Sequence, residues 1–119
     1  MSLFWNEPRD SAELVGHYVA NRELVNETLT LNSDGTYSQR VKLKASGKVD
    51  TASGTWTFDS QNAYVTFDQH MMLVASSSKR FNPDYAKPRS DGLVSLPVDR
   101  LFGEIRIGAA DDAIPYRKE

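Results

Sequence analysis

The sequence predicts an all-β protein in which an antiparallel meander closes into a small barrel. Polar and apolar residues alternate from residue 26 onward, which is the period of strands with one buried face. Turn signals such as Asp34-Gly35 separate the alternating segments and are typical of hairpins. The chain has 119 residues, 39% of them hydrophobic and 25% charged, so we expect residues 1–119 to form a single soluble domain with its own core.

A short helical turn is predicted ahead of the first strand. Asp10 and Ser11 are residue types that cap helices, and Glu13 follows Asp10 by three residues in a weak form of the capping box. We expect the turn to span about residues 11–15 and to end at Gly16.

The first hairpin is predicted around Asp34-Gly35, between alternating residues 26–32 and 36–45. We place Tyr37, Val41, Leu43 and Ala45 inside the barrel, and Arg40, Lys42 and Lys44 outside. Together with Lys48 in the next turn, the outer residues form a basic stripe. We interpret the stripe as a solvated face that discourages edge pairing, and its alternative role is contact with an acidic ligand or partner.

Later segments keep the period of two. The residues that we place inside are Trp56, Phe58, Val65, Phe67, Ile105 and Ile107. Strands are predicted near residues 93–98, 101–108 and 114–118, with Pro97 typical of a sheet edge or a bulge. Residues 70–75 are apolar throughout, so they fit either a buried strand or one helical turn, and we favour the strand.

Residues 76–91 have the composition of a long loop. They contain Pro83 and Pro88 among many polar residues, which excludes a regular strand. The loop carries Phe81 and Tyr85, so it is either an exposed loop or a flap over the barrel mouth.

Three short motifs resemble those of small bacterial lipocalin-like (calycin-type) domains. They are the helical turn followed by Gly16-His17-Tyr18, the pattern Leu29-x-Leu31-x-x-Asp34-Gly35-Thr36-Tyr37, and Gly54-Thr55-Trp56. The resemblance covers about the first two-thirds of the chain, and Tyr18 stands where lipocalins have tryptophan. It implies a ligand-binding barrel closed at one end by the helical turn, and it implies that Arg117 covers Tyr18. The chain departs from the family in its shortness and in lacking the C-terminal helix, which favours a barrel filled by its own side chains.

The candidate ligand-binding residues are aromatic. They are Tyr18, Tyr37, Trp56, Phe58 and Phe67 inside the barrel, with Phe81 and Tyr85 on the loop above it. Such side chains line an apolar pocket, and the tyrosine hydroxyls and the tryptophan N–H then orient the ligand. The alternative is that the same residues form a packed core.

Other site chemistry has little support in the sequence. The chain has no cysteine and two histidines, His17 and His70, which together with Asp68 are a weak zinc set, so we expect no metal and no cofactor. No nucleophile elbow, phosphate loop or nucleotide fingerprint is present, and we place no carboxylate on an inward position. We therefore expect no catalytic residues. The net charge of −2 argues against nucleic acid, and no apolar run is long enough to span a membrane.

These observations favour non-catalytic binding of a small apolar or amphipathic ligand in the barrel mouth. The alternative is an interaction or homodimerisation module with a filled core, which uses an edge strand or the apolar Leu3-Phe4-Trp5 segment. An enzyme would need a cluster of polar side chains inside the barrel. Met1-Ser2-Leu3 is similar to a cloning leader that replaces a native targeting segment, so the compartment stays open between cytoplasm and periplasm.

Overall fold

The computed structural model describes residues 10–22, 24–68, 94–101, 103–108 and 115–119. Its strands are β1 Gly16–Asn21, β2 Val25–Leu31, β3 Thr36–Leu43, β4 Val49–Asp59, β5 Tyr64–Phe67, β6 Val94–Leu101, β7 Glu104–Ile107 and β8 Tyr116–Lys118. Each strand pairs antiparallel with the next, and β8 pairs with β1 to close the barrel. The predicted all-β meander closing into a barrel is confirmed.

The predicted N-terminal turn is a single 3-10 helix, Ser11–Leu14. Asp10 caps it, because its Oδ1 accepts a hydrogen bond from the Ala12 N–H at 3.0 Å. Leu14 is fully buried among the strand residues of the main core. The turn therefore closes one end of the barrel, which we call the plug end.

Strand direction assigns every connection to one of the two ends. The β2–β3 and β4–β5 turns lie at the plug end, as does the β6–β7 turn at Gly103. The β1–β2 turn, the β3–β4 turn and the last residues of β5 and β7 lie at the opposite end, which we call the far end. The predictions for residues 70–75 and 76–91, including Phe81 and Tyr85, fall outside the described residues.

The barrel interior holds two apolar clusters. The larger contains Leu14, Tyr18, Ala20, Leu29, Leu31, Tyr37, Trp56, Val65, Phe67, Val94, Val98, Ile105, Ile107 and Tyr116, with Phe58 partly buried against it. The smaller, toward the far end, contains Val25, Val41, Leu43 and Ala52. The alternating pattern of β3 predicted that Ala45 lies inside the barrel. Ala45 is instead exposed, because β3 ends at Leu43 and residues 44–46 form a turn.

Pro97 lies within β6, not at a sheet edge as expected. It pairs with Tyr64 of β5, and the β6–β7 ladder begins only at Val98 opposite Ile107. The Val98 N–H points toward β5 and donates to the Ala63 carbonyl at 2.8 Å. Successive N–H groups of a strand point in opposite directions, so an N–H at position 97 would point to the β7 side, beyond the first residue pair of the β6–β7 ladder. The proline therefore removes no hydrogen bond from that ladder.

Candidate functional site

The aromatic candidates among the described residues lie in the larger apolar cluster of the barrel or pack against it. Tyr18, Tyr37, Trp56 and Phe67 are each less than a tenth exposed, and Phe58 packs against them from a partly buried position. The rings of Tyr37 and Phe67 meet edge to face, with their centroids 5.1 Å apart. The structure thus brings these five residues together at the plug end and in the middle of the barrel.

The polar atoms of these aromatic residues bind the protein's own backbone. The Tyr18 hydroxyl donates to the Leu14 carbonyl at 2.7 Å, and the Tyr37 hydroxyl donates to the Asp68 carbonyl at 2.9 Å. The Trp56 Nε1 donates to the Asn32 carbonyl at 3.1 Å. Because each donor has a backbone acceptor, these groups connect neighbouring parts of the barrel.

A layer of polar side chains lies inside the barrel between the two apolar clusters. It consists of Arg22, Glu27, Gln39 and Tyr116, which are 8%, 2%, 1% and 3% exposed. Along β2, Glu27 lies between inward Val25 and inward Leu29, and Gln39 of β3 lies between inward Tyr37 and inward Val41. We call these four residues the polar layer.

Glu27 is the centre of the polar layer. Its Oε2 accepts a hydrogen bond from Arg22 Nε, and its Oε1 accepts one from the Tyr116 hydroxyl. Gln39 Nε2 lies 3.1 Å from the same Oε1 and 2.9 Å from the Tyr116 oxygen. The Arg22 guanidinium carbon is 5.3 Å from the centroid of the Tyr116 ring, a cation–π contact. Residues from β1's end, β2, β3 and β8 therefore meet in one network.

The environment of Tyr116 keeps its hydroxyl protonated. Burial raises the pKa of Tyr116 well above its usual value, and the neighbouring Glu27 charge raises it further, against the opposing effect of Arg22. The phenol is therefore a neutral hydrogen-bond donor at ordinary pH. The polar layer thus places a cation, an amide and a hydroxyl within a low-dielectric interior.

The polar layer corrects the expectation that no carboxylate points inward. The signal was present in the sequence, because Glu27 is two residues from Leu29 and four from Leu31 on an alternating strand, and Gln39 is two residues from each of Tyr37 and Val41. The polar side chains interrupt the apolar pattern without changing its period. Arg22 was not predictable in this way, because it follows the end of β1.

Arg117 does not cover Tyr18 as the family resemblance implied. Arg117 is opposite Val19 and exposed, and its Nε binds Glu104 Oε1 at 2.8 Å, which lowers the pKa of Glu104. Lys118 is the residue opposite Tyr18, and its Nζ donates to the Glu13 carbonyl at 2.8 Å. The basic side chain that fastens the helical turn is therefore one residue further along β8.

Two of the surface clefts that described residues form are not lined by the aromatic candidates. One, of about 380 Å³, is lined by Glu13, Arg100, Gly103, Glu104, Ile105, Lys118 and Glu119. The other, of about 320 Å³, is lined by Val19, Ala20, Asn21, Pro115, Arg117 and Lys118. Within the described ranges no three metal-ligating side chains come together, and His17 is exposed beside the Thr30 hydroxyl at 3.0 Å.

Comparison with known proteins gives a likeness of fold. The chain is similar to a protein from Bacteroides thetaiotaomicron VPI-5482 solved by NMR, with 15% identity, a TM-score of 0.54 and coverage of 99% of both chains. No family profile matches the chain, and no curated protein matches it. No helix in the described part of the chain is long and apolar enough to cross a bilayer. A likeness at this identity is a likeness of fold alone.

Proposed function

We propose that this chain is a lipocalin-like binding protein that takes up a small amphipathic molecule at the far end of the barrel, without catalysis. The observation that carries the proposal is the polar layer of Arg22, Glu27, Gln39 and Tyr116 inside the barrel. Replacing a buried ion pair by apolar residues is often neutral or stabilising by about 1–4 kcal/mol, so a barrel without a ligand gains little from this layer.

The arrangement of the interior supports uptake at the far end. The plug end is filled by Leu14 and the aromatic cluster. Toward the far end the inward side chains are aliphatic: Val41 is opposite Glu27, Ala52 is opposite Gln39, and the pair Val25 and Leu43 lies beyond them. A ligand with one polar group and an apolar body matches this order, because its polar group meets the layer while its body contacts the aliphatic side chains.

Recognition fits the polar layer better than catalysis does. Glu27 accepts three hydrogen bonds from its neighbours, and the raised pKa of Tyr116 makes that residue a poor base. The cluster of polar groups that an enzyme would need is present, but its basic atoms are already engaged with each other. The aromatic cluster then serves as the floor beneath the ligand.

A fluorescent amphipathic probe, 1-anilinonaphthalene-8-sulfonate, tests the proposal. We expect saturable binding of about one probe per chain, and we expect Ala52→Phe to weaken it at least about tenfold, because Ala52 is the inward residue opposite Gln39. The matched control is Ser53→Phe, which adds the same ring at the next, exposed position of β4. The thermal unfolding of both variants shows whether they remain folded.

Tyr116→Phe is the second variant, since it keeps the ring and removes only the hydroxyl of the polar layer. We expect it to weaken binding of the probe by about three- to tenfold, which corresponds to the loss of one hydrogen bond. The proposal is contradicted if the wild-type chain binds no probe, or if Ala52→Phe and Ser53→Phe bind it equally. A wild-type chain that binds no probe and sediments as a dimer instead supports the interaction module, for which the dense packing around Leu14 and Tyr18 is the favourable observation.

A further inference from the structure

The outer face of β2, β3 and β4 toward the far end carries unpaired positive charge. Arg40 and Lys42 point outward from β3, Lys44 follows them, and Lys48 ends the turn into β4. All four are exposed, and Arg40, Lys42 and Lys44 form no ion pair with any described residue. The only carboxylate near them in the described chain is Asp50, whose Oδ2 lies 3.9 Å from Lys48 Nζ. We call these four side chains the basic face.

The residues of β2 and β4 that pair with Arg40 and Lys42 carry no negative charge. Opposite Arg40 lie Thr28 of β2 and Thr51 of β4, and opposite Lys42 lie Asn26 and Val49. In a protein of net charge −2, this is a local excess of positive charge. The arginines at the plug end behave differently, since Arg100, Arg106 and Arg117 each pair with a carboxylate.

We propose that the basic face is a docking surface for a lipid bilayer that contains anionic headgroups. The juxtaposition that carries the proposal is the grouping of exposed Arg40, Lys42, Lys44 and Lys48 beside the far end, where the strand residues paired with Arg40 and Lys42 are uncharged. Basic residues near an anionic membrane surface are attracted without any need for a complementary shape. Val49, 37% exposed beside Lys42, adds an apolar contact at the same place.

Other anionic partners fit the face less well. The outward positions of β2, β3 and β4 hold no aromatic side chain for bases to stack on, which disfavours single-stranded nucleic acid. An acidic protein would need buried aromatic or arginine anchors at the centre of a complementary interface, and the outward positions here are mostly threonine, serine and lysine. Contact with a different surface of a second copy would be head to tail, which produces open filaments unless it closes in a ring.

Vesicle sedimentation tests the proposal directly. We expect the wild-type chain to sediment with vesicles of phosphatidylcholine containing about one third phosphatidylglycerol, and to remain in solution with pure phosphatidylcholine. Raising the salt from about 50 to 500 mM should release it, because the charges are exposed and become screened. The double variant Arg40→Gln/Lys42→Gln should lose about 30-fold in affinity, as expected for two basic side chains near such a surface.

The control variant changes the net charge by the same amount, at residues outside the basic face. Ser60→Glu/Gln61→Glu lowers the net charge by two in the exposed β4–β5 turn at the plug end and should bind vesicles nearly as the wild type does. The proposal is wrong if the wild type ignores anionic vesicles at low salt, if it binds neutral vesicles equally, or if the control loses as much affinity as the Arg40 and Lys42 variant. Stronger competition by oligo-dT or polyglutamate than by the vesicles overturns it in favour of a nucleic acid or an acidic protein.

This inference is independent of what the barrel binds. Arg40 and Lys42 point away from the interior, so the double variant should bind the fluorescent probe as the wild type does. A chain that binds the probe but no vesicle refutes the docking surface alone. A chain that binds vesicles but no probe refutes the proposed function and leaves the docking surface standing.

Discussion

Glu27 shows how one side chain can organise the inside of a barrel. It is 2% exposed and joins Arg22, Gln39 and Tyr116, which are separated from it along the chain by up to 89 residues. A charge in such a place is tolerated only if its partners satisfy it. The four residues are therefore interdependent, and each constrains the position of the strand that carries it.

Glu27→Ala should destabilise the protein by about 3–5 kcal/mol, because it leaves the buried Arg22 cation without its carboxylate. Urea unfolding measures the change, and the control is Asn26→Ala on the neighbouring outward position, which should cost less than about 0.5 kcal/mol. The double variant Arg22→Ala/Glu27→Ala should cost less than the sum of the single changes, since the two residues interact directly. A cost for Glu27→Ala as small as that for Asn26→Ala would show that the polar layer is not coupled in solution.

At the scale of elements, the 3-10 turn Ser11–Leu14 is short but attached at several points. Leu14 enters the core, the Leu14 carbonyl accepts from the Tyr18 hydroxyl, and the Glu13 carbonyl accepts from Lys118 Nζ. The Glu13 carboxylate also pairs with Arg100 at 2.7 Å. A four-residue turn has little stability of its own, so these contacts from β1, β6 and β8 hold it in place.

Tyr18→Phe tests this attachment. The substitution keeps the buried ring and removes the donor to the Leu14 carbonyl, so we expect a loss of about 1–2 kcal/mol in the free energy of unfolding. Tyr64→Phe is the matched control, since Tyr64 is 43% exposed and its hydroxyl has no hydrogen-bond partner among the described residues. Equal stability of the two variants would argue against a role for the Tyr18 hydroxyl in holding the turn.

The contact between β3, β4 and the end of β5 depends on Gly54, which has no side chain. A Cβ on Gly54 would lie 2.7 Å from the Asp68 carbonyl oxygen and 2.9 Å from Tyr37 Cε1. Gly54 is opposite Tyr37, whose hydroxyl reaches over it to the Asp68 carbonyl. The tyrosine thus occupies the space that any other residue at position 54 would need.

Gly54→Ala should therefore lower the stability by about 1–3 kcal/mol, since a backbone oxygen must move to admit the methyl group. The adjacent exposed change Ser53→Ala is the control and should be close to neutral in the same thermal unfolding experiment. If alanine at position 54 is tolerated equally well, the close approach of Asp68 and Tyr37 does not exist in solution.

The features that the sequence predicted correctly are those that depend on interactions within one strand. Alternation placed Trp56, Phe67, Ile105 and Ile107 inside, because the pleat fixes direction within each strand. The extent of β3 and the place of Pro97 depend on partner strands, so the sequence alone misplaced Ala45 and left Pro97 between a sheet edge and a bulge. The partners of Glu27 come from three other elements, and no pattern within β2 names them.

At the scale of the whole molecule, closure of the barrel creates two unlike ends. The plug end is filled and its arginines are paired, whereas the far end holds the polar layer inside and the basic face outside. A net charge near zero conceals this separation, which is why the overall charge did not predict the unpaired positive side of the sheet. The proposed uptake of a ligand and the proposed docking to a bilayer would then both take place at the far end.

Closure of the barrel also buries Tyr18, Tyr37 and Tyr116, and ionisation of these side chains would destabilise the folded state. Burial raises the pKa of Tyr37 to about 12 and raises the pKa values of Tyr18 and Tyr116 as well, from 10.0 in an open chain. Below about pH 10 the tyrosines keep their protons in both states, so their contribution to stability is complete. Above that pH the unfolded chain loses these protons while the folded chain retains them.

The free energy of unfolding should therefore fall steadily as the pH rises from about 10 to 12, and Tyr37→Phe should make the slope shallower. Urea midpoints at several pH values measure the slope, and phenolate absorbance follows ionisation in the same samples. Because the three hydroxyls are enclosed, their absorbance change should coincide with the loss of β-sheet circular dichroism and not precede it. Complete ionisation of the tyrosines while the sheet signal is intact would mean that the barrel admits hydroxide or water to its core, and that the closed interior described here opens readily.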